Sequence, residues 1–90
     1  MDLNSKVIFL DTVFAQKIDD EMILLDTNSK NYFALDEIGT KFWQIIREHK
    51  KLNDVYEILL QQYEVEPKIL RDDLLNFVNK LHINGLVNIK

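Results

Sequence analysis

Apolar positions recur in two rhythms along this chain, and the change falls at Leu35. Before it they gather in runs of strand length: Val7-Ile8-Phe9-Leu10, Val13 to Ile18, Met22-Ile23-Leu24-Leu25 and Asn31 to Leu35. Polar turns separate the last three runs. Asp19-Asp20-Glu21 and Asp26-Thr27-Asn28-Ser29 carry short polar side chains that bond the local backbone and tolerate left-handed geometry. The pattern predicts a meander of three antiparallel strands, Val13–Ile18, Met22–Asp26 and Lys30–Leu35. Val7–Leu10 is apolar without alternation. Residues 1–12 therefore read as an N-terminal arm or extra strand, and 13–90 as a single domain.

After Leu35 the spacing becomes helical. Ile38, Phe42, Ile45 and Ile46 make one stripe, and Asp36 is placed to cap its start by accepting a first-turn amide hydrogen bond. Gly39 costs about 1 kcal/mol relative to alanine inside a helix, which points to close packing there. Arg47-Glu48-His49-Lys50-Lys51 sets cations against the negative helix end. Leu52, Val55, Leu59 and Tyr63, with Ile58 beside them, form a second stripe that Glu64-Val65-Glu66 ends. Pro67 opens a third helix, where its missing amide costs nothing. Leu70, Leu74, Phe77, Val78 and Leu81 give that helix the most regular stripe in the chain. Gly85 reads as the residue that ends it, with Leu86 folding back on the last turn. Val87–Ile89 fits a short final strand. The predicted class is α+β and winged helix-turn-helix-like: a three-stranded antiparallel sheet, three helices and a short C-terminal strand. Such a fold by itself says little about function.

Composition narrows the functions. Of 90 residues, 47% are hydrophobic and 29% charged, with two glycines and one proline, which is a globular profile and not a disordered one. Without cysteine there is no disulfide and no thiolate metal site. No run approaches the ~20 apolar residues of a membrane span. Met1-Asp2-Leu3-Asn4 lacks the basic-then-apolar pattern of a secretion signal. A soluble cytoplasmic protein is expected. Its net charge of −4, from 11 basic and 15 acidic residues, opposes general affinity for phosphate backbones.

Catalytic constellations do not emerge. His49 sits in a basic turn and His82 late in the third helix, with no partnered serine or carboxylate at recognisable spacing. Asp19-Asp20-Glu21 and Asp72-Asp73 read as solvated surface. No enzyme, metal or cofactor is expected. DNA binding by a small winged-helix transcription regulator is the alternative from another class. It needs cations along the recognition helix, where Lys68, Arg71 and Lys80 are offset by Asp72 and Asp73. An orphan module that binds some other protein is a third reading. The remaining feature is an edge. Lys30 to Leu35 has no proline and one charge, so it is poorly protected. Either Val7–Leu10 or Val87–Ile89 covers it, or a peptide adds there as a further strand.

The stretch ILLDTNSKNYFALDEIGTKFWQII, residues 23–46, resembles the PqqD-like family, the recognition domains for ribosomally made, modified peptides. The matching pieces are Leu24-Leu25-Asp26, Tyr32-Phe33-Ala34-Leu35-Asp36, Gly39 and Trp43. Tyr63-Glu64-Val65 and DDLLNFVNKLHINGLV, residues 72–87, extend the likeness. Lys51 stands where many relatives place a threonine cap. The turn and strand from Asp26 to Tyr32 differ from proteins dedicated to pyrroloquinoline quinone synthesis and look closer to stand-alone relatives in lasso-peptide pathways. The resemblance implies that a precursor's leader segment adds beside the 30–35 strand, in a groove closed by the third helix. Carried onto this chain, the peptide-binding residues are Lys30, Asn31, Tyr32, Phe33, Ala34 and Leu35, with a wall from Leu70, Asp73, Leu74 and Phe77. Plain core remains the alternative for Leu70, Leu74 and Phe77. Asp73, a carboxylate within an apolar stripe, is expected to need a peptide donor. The implied role is a non-catalytic peptide chaperone. Its partners are a leader peptide and a peptide-modifying enzyme or leader protease, with no nucleic acid and no membrane.

Overall fold

The computed structural model describes residues 1–90. They form β1 (Val7–Phe9), β2 (Val13–Ile18), β3 (Glu21–Asp26), β4 (Tyr32–Leu35), α1 (Glu37–His49), α2 (Leu52–Gln62), α3 (Pro67–Ile83) and β5 (Val87–Ile89). The class is α+β, as the two rhythms imply. Strands β2, β3 and β4 make an antiparallel sheet in that order. Phe14 lies opposite Leu25, and Leu25 opposite Tyr32. Strand alternation sends Met22, Leu24 and Leu35 into the core.

The β3–β4 turn starts the last strand later than its composition implies. Lys30 has a φ of 64° and closes the turn, so β4 begins at Tyr32. The Lys30 N–H donates to the Asp26 carbonyl at 2.7 Å, and the Asp26 N–H donates to the Asn31 carbonyl at 2.9 Å. The Asp26 carboxylate accepts from the Ser29 hydroxyl at 2.8 Å and from the Asn28 amide at 3.1 Å. Those bonds favour the ionised form and hold Asp26 below its ordinary value of 3.8.

The two segments that could cover the β4 edge pair with each other instead. β1 and β5 form a separate two-stranded antiparallel sheet, with Val7 opposite Ile89 and Phe9 opposite Val87. The arm also seals the corner between α1 and α2. The Val7 N–H donates to the Lys50 carbonyl at 2.9 Å, and the Ser5 carbonyl accepts from the Leu52 N–H at 3.1 Å. Lys51 offers α2 no side-chain cap, so a main-chain carbonyl from the arm satisfies one of its exposed first-turn donors. Phe9 then packs edge-on against Trp43 with ring centroids 5.0 Å apart.

The helices follow their stripes. Phe42, Ile45 and Ile46 of α1, Leu52, Val55 and Leu59 of α2, and Leu70, Leu74, Val78 and Leu81 of α3 meet in one core with Leu24. Ile38 departs from its stripe and is exposed. Asp36 caps α1 by accepting from the Gly39 N–H at 2.7 Å. Pro67 opens α3. Gly85, at φ 74°, ends it, while the Leu86 N–H reaches back to the Leu81 carbonyl at 3.0 Å.

Candidate functional site

β4 is an edge strand whose outer side no other strand occupies. Its hydrogen-bond phase follows from the turn. In an antiparallel pair, bonded and non-bonded residue pairs alternate. The Asp26–Asn31 bond and the register therefore make Leu24–Phe33 and Met22–Leu35 the bonded pairs. The N–H and C=O groups of Tyr32 and Ala34 point the other way, off the open edge. The side chains alternate independently of this. Phe33 and Leu35 face the helices, whereas Tyr32 and Ala34 lie on the outer face of the sheet and are exposed.

A groove of about 460 Å³ runs along that edge, between β4 and α3. On the strand side Phe33, Ala34 and Leu35 line it; on the α3 side Asp73, Asn76, Phe77 and Lys80 do. The start of α1 supplies the floor through Ile38, Gly39 and Phe42. Gly39 permits close approach: a Cβ there would lie 3.3 Å from the Phe77 ring and 3.2 Å from the Asp36 carboxylate, tighter than an ordinary contact. Phe77 in turn meets Phe42 edge-on, with centroids 5.6 Å apart. Two edge-packed aromatic rings thus form an apolar bed, and Asp73 and Lys80 stand along the α3 wall.

The predicted site residues divide on this geometry. Phe33, Ala34, Leu35, Asp73 and Phe77 come together in the groove. Tyr32 contributes its outward backbone groups at the edge. Lys30 and Asn31 belong to the turn and do not line the groove. Leu70 and Leu74 are core residues buried on the inner side of α3, and the wall expected from them is made by Asn76 and Lys80. Asp73 is exposed at the rim and not buried among apolar residues, so solvent already satisfies its carboxylate and it does not need a peptide donor. Ile38, Gly39 and Phe42 were legible only as helix residues. The signal for them was the glycine one turn before an aromatic.

The opposite edge of the sheet, β2, adjoins a wider cleft of about 1250 Å³ lined by β1, β2 and α1. That strand carries Lys17, the kind of charge that blunts edges, whereas β4 has no charged residue.

On α3 the Lys68 ammonium bonds Asp72 at 3.1 Å, with Arg71 3.7 Å from the same carboxylate. The Lys68 hydrogen bond and the two positive charges hold Asp72 below its ordinary 3.8. Two of the cations on this helix are thereby offset. No helix is long and apolar enough to cross a membrane.

A small α+β domain with an open sheet edge facing a helix wall is the class these features define. Residues 21–87 match the family described as Coenzyme PQQ synthesis protein D (PqqD), and the chain belongs to that family. Two solved structures are similar across nearly their whole length. TbiB1, solved in complex with the TbiA(beta) leader peptide, is 28% identical with a TM-score of 0.84, over 90% of this chain and 94% of that one. A lasso peptide synthetase B1 complexed with the leader peptide is 25% identical with a TM-score of 0.82, over 92% of this chain and 98% of that one. No curated protein sequence matches.

Proposed function

We propose that this protein binds the leader segment of a ribosomally made precursor peptide as an added strand on β4. It presents the adjoining core segment to a peptide-modifying enzyme or leader protease. The observation that carries the reading is the free edge: Tyr32 and Ala34 direct unpaired backbone groups along a groove bedded by Phe42 and Phe77. Backbone pairing supplies affinity, and alternate side chains entering the groove supply selectivity. Both similar structures carry a leader peptide, which supports the same partner class here and favours a lasso-type pathway.

The peptide-binding residues we assign are Tyr32 at the edge and Phe33, Ala34, Leu35, Asp73 and Phe77 in the groove, joined by Asn76 and Lys80. Asp73 offers an acceptor and Lys80 a donor to polar groups that pass the rim. The protein acts by tethering and not by bond chemistry. A bound leader holds the core segment at an effective concentration of order mM near an enzyme that engages the same complex. This reading places the protein in the cytoplasm, where ribosomal precursors are made.

The test is a titration of isotope-labelled protein with synthetic lasso-type leader peptides, the TbiA(beta) leader among them. The Tyr32 and Ala34 amides should move downfield as they acquire hydrogen bonds, with Asp73 and Phe77 shifting alongside. Shifts confined to the β2 edge or to the solvent face of α3 would place the peptide elsewhere and reject the site.

A further inference from the structure

An amphipathic edge strand ordinarily buries one face and wets the other. The outer face of this sheet does not follow that pattern. Phe14, Leu25 and Tyr32 stand in one row across all three strands, and they are 61%, 41% and 74% exposed. In the next row Ile23, 38% exposed, lies opposite Ala34, whose methyl covers little of it. Tyr32, at the open end of the first row, offers an added strand a large cross-strand neighbour on the outer face.

The row is open at β4, the edge where the Tyr32 and Ala34 backbone groups are unpaired. The next position in each row therefore belongs to whatever strand is added there. Directly opposed residues in an antiparallel pair share a face, so peptide residues opposite Tyr32 and Ala34 project onto the outer face. Those opposite Phe33 and Leu35 project into the groove.

We propose that the bound peptide is read on both faces, so that the leader segment is apolar at consecutive positions and not at alternate ones. This inference rests on strand addition at β4. The residue opposite Tyr32 is aromatic or β-branched, because cross-strand pairs of those classes stabilise a sheet face best. The residue opposite Ala34 is bulky, because the small Ala34 side chain leaves a step that exposes Ile23. Tyr32 is therefore a specificity-determining residue, although it does not line the groove.

The experiment uses a phage-displayed library of random twelve-residue peptides selected on the full chain. The frame of each selected peptide is fixed by cross-strand NOEs to the Tyr32 and Ala34 amides. Selection on wild type should enrich Phe, Tyr, Trp, Val or Ile opposite Tyr32, as well as apolar residues on the groove side. Selection on Tyr32→Lys should switch the outer position to Asp or Glu and leave the groove positions unchanged. Wild-type peptides should bind Tyr32→Lys about 5-fold more weakly, the upper value of one such cross-strand pair. A change in overall stability could not produce that charge switch. Ala34→Pro separates the two levels. If it weakens binding while the outer position is random on wild type, or unmoved by Tyr32→Lys, strand addition stands and reading on both faces is wrong. If selected peptides bind Ala34→Pro like wild type, or no peptide is selected on β4, the strand-addition reading fails and this inference fails with it.

Discussion

Tyr32, Phe33 and Ala34 are neighbours in one strand, yet their backbones serve opposite partners. The Phe33 N–H belongs to the ladder with β3, while those of Tyr32 and Ala34 face the open edge. Proline at each position should therefore have different consequences. Ala34→Pro removes one donor from an unpaired side, so the chain should fold and bind a leader peptide about 5- to 10-fold more weakly, the worth of roughly one hydrogen bond. Phe33→Pro removes a ladder bond and an inward side chain together, and should unfold the meander. Circular dichroism separates the two, and a fluorescence titration reads the first. Asp26 governs the turn that starts this strand. Its folded pKa lies below the unfolded one, so its contribution is present above about pH 3.8 and is lost as the pH falls through the depressed value. Asp26→Asn should lower stability at pH 7 and flatten the acid limb of the stability curve. Urea unfolding at several pH values between neutrality and pH 2.5 checks the sign.

Among the elements, β1 has a role out of proportion to its length. It pairs with β5, bonds the Lys50 carbonyl at the end of α1, and sets Phe9 against Trp43. The Arg47 guanidinium lies 4.8 Å from the centroid of the Phe9 ring. We propose that residues 1–12 are part of the same cooperative unit as the rest of the chain and not an appended arm. Phe9→Ala should cost about 2–3 kcal/mol, somewhat below the range for a fully buried phenylalanine because Phe9 is half-buried. The loss should appear as a lower midpoint of a single urea transition. A separate early transition would mean that the arm unfolds on its own.

For the molecule as a whole, the net charge of −4 and the Lys68–Asp72–Arg71 cluster leave α3 without a continuous basic face. Duplex DNA binding should be negligible at physiological salt. A fluorescence anisotropy titration that found sub-micromolar affinity falling steeply with salt would restore the regulator reading, because that slope counts phosphate contacts. The same fold thus offers two recognition routes, a helix face and a sheet edge. Charge argues against the first, and the unpaired amides of β4 support the second.

What the sequence determined by itself is what local interactions decide. The β3–β4 turn, the Asp36 cap, Pro67 at the start of α3 and the Gly85–Leu86 ending each depend on residues within a turn of one another, so their chemistry is written in adjacent letters. The meander was legible because strand period and turn residues agree, and the family resemblance pointed to one strand and one helix as the sides of the groove. Other features required the tertiary structure. Nothing local says that Val7–Phe9 pairs with Val87–Ile89, and that pairing is why neither covers β4. Nor does periodicity separate Leu70 and Leu74 from Phe77, because a helix stripe is wider than any one neighbour: part of it meets the core and part turns toward β4. Ile38 shares that ambiguity on α1. Which face of the sheet the Tyr32 and Ala34 side chains take was hidden for a similar reason. A one-residue change in register exchanges the two faces of a strand, and only the packing of Leu24 and Leu35 against the helices fixes which face is which.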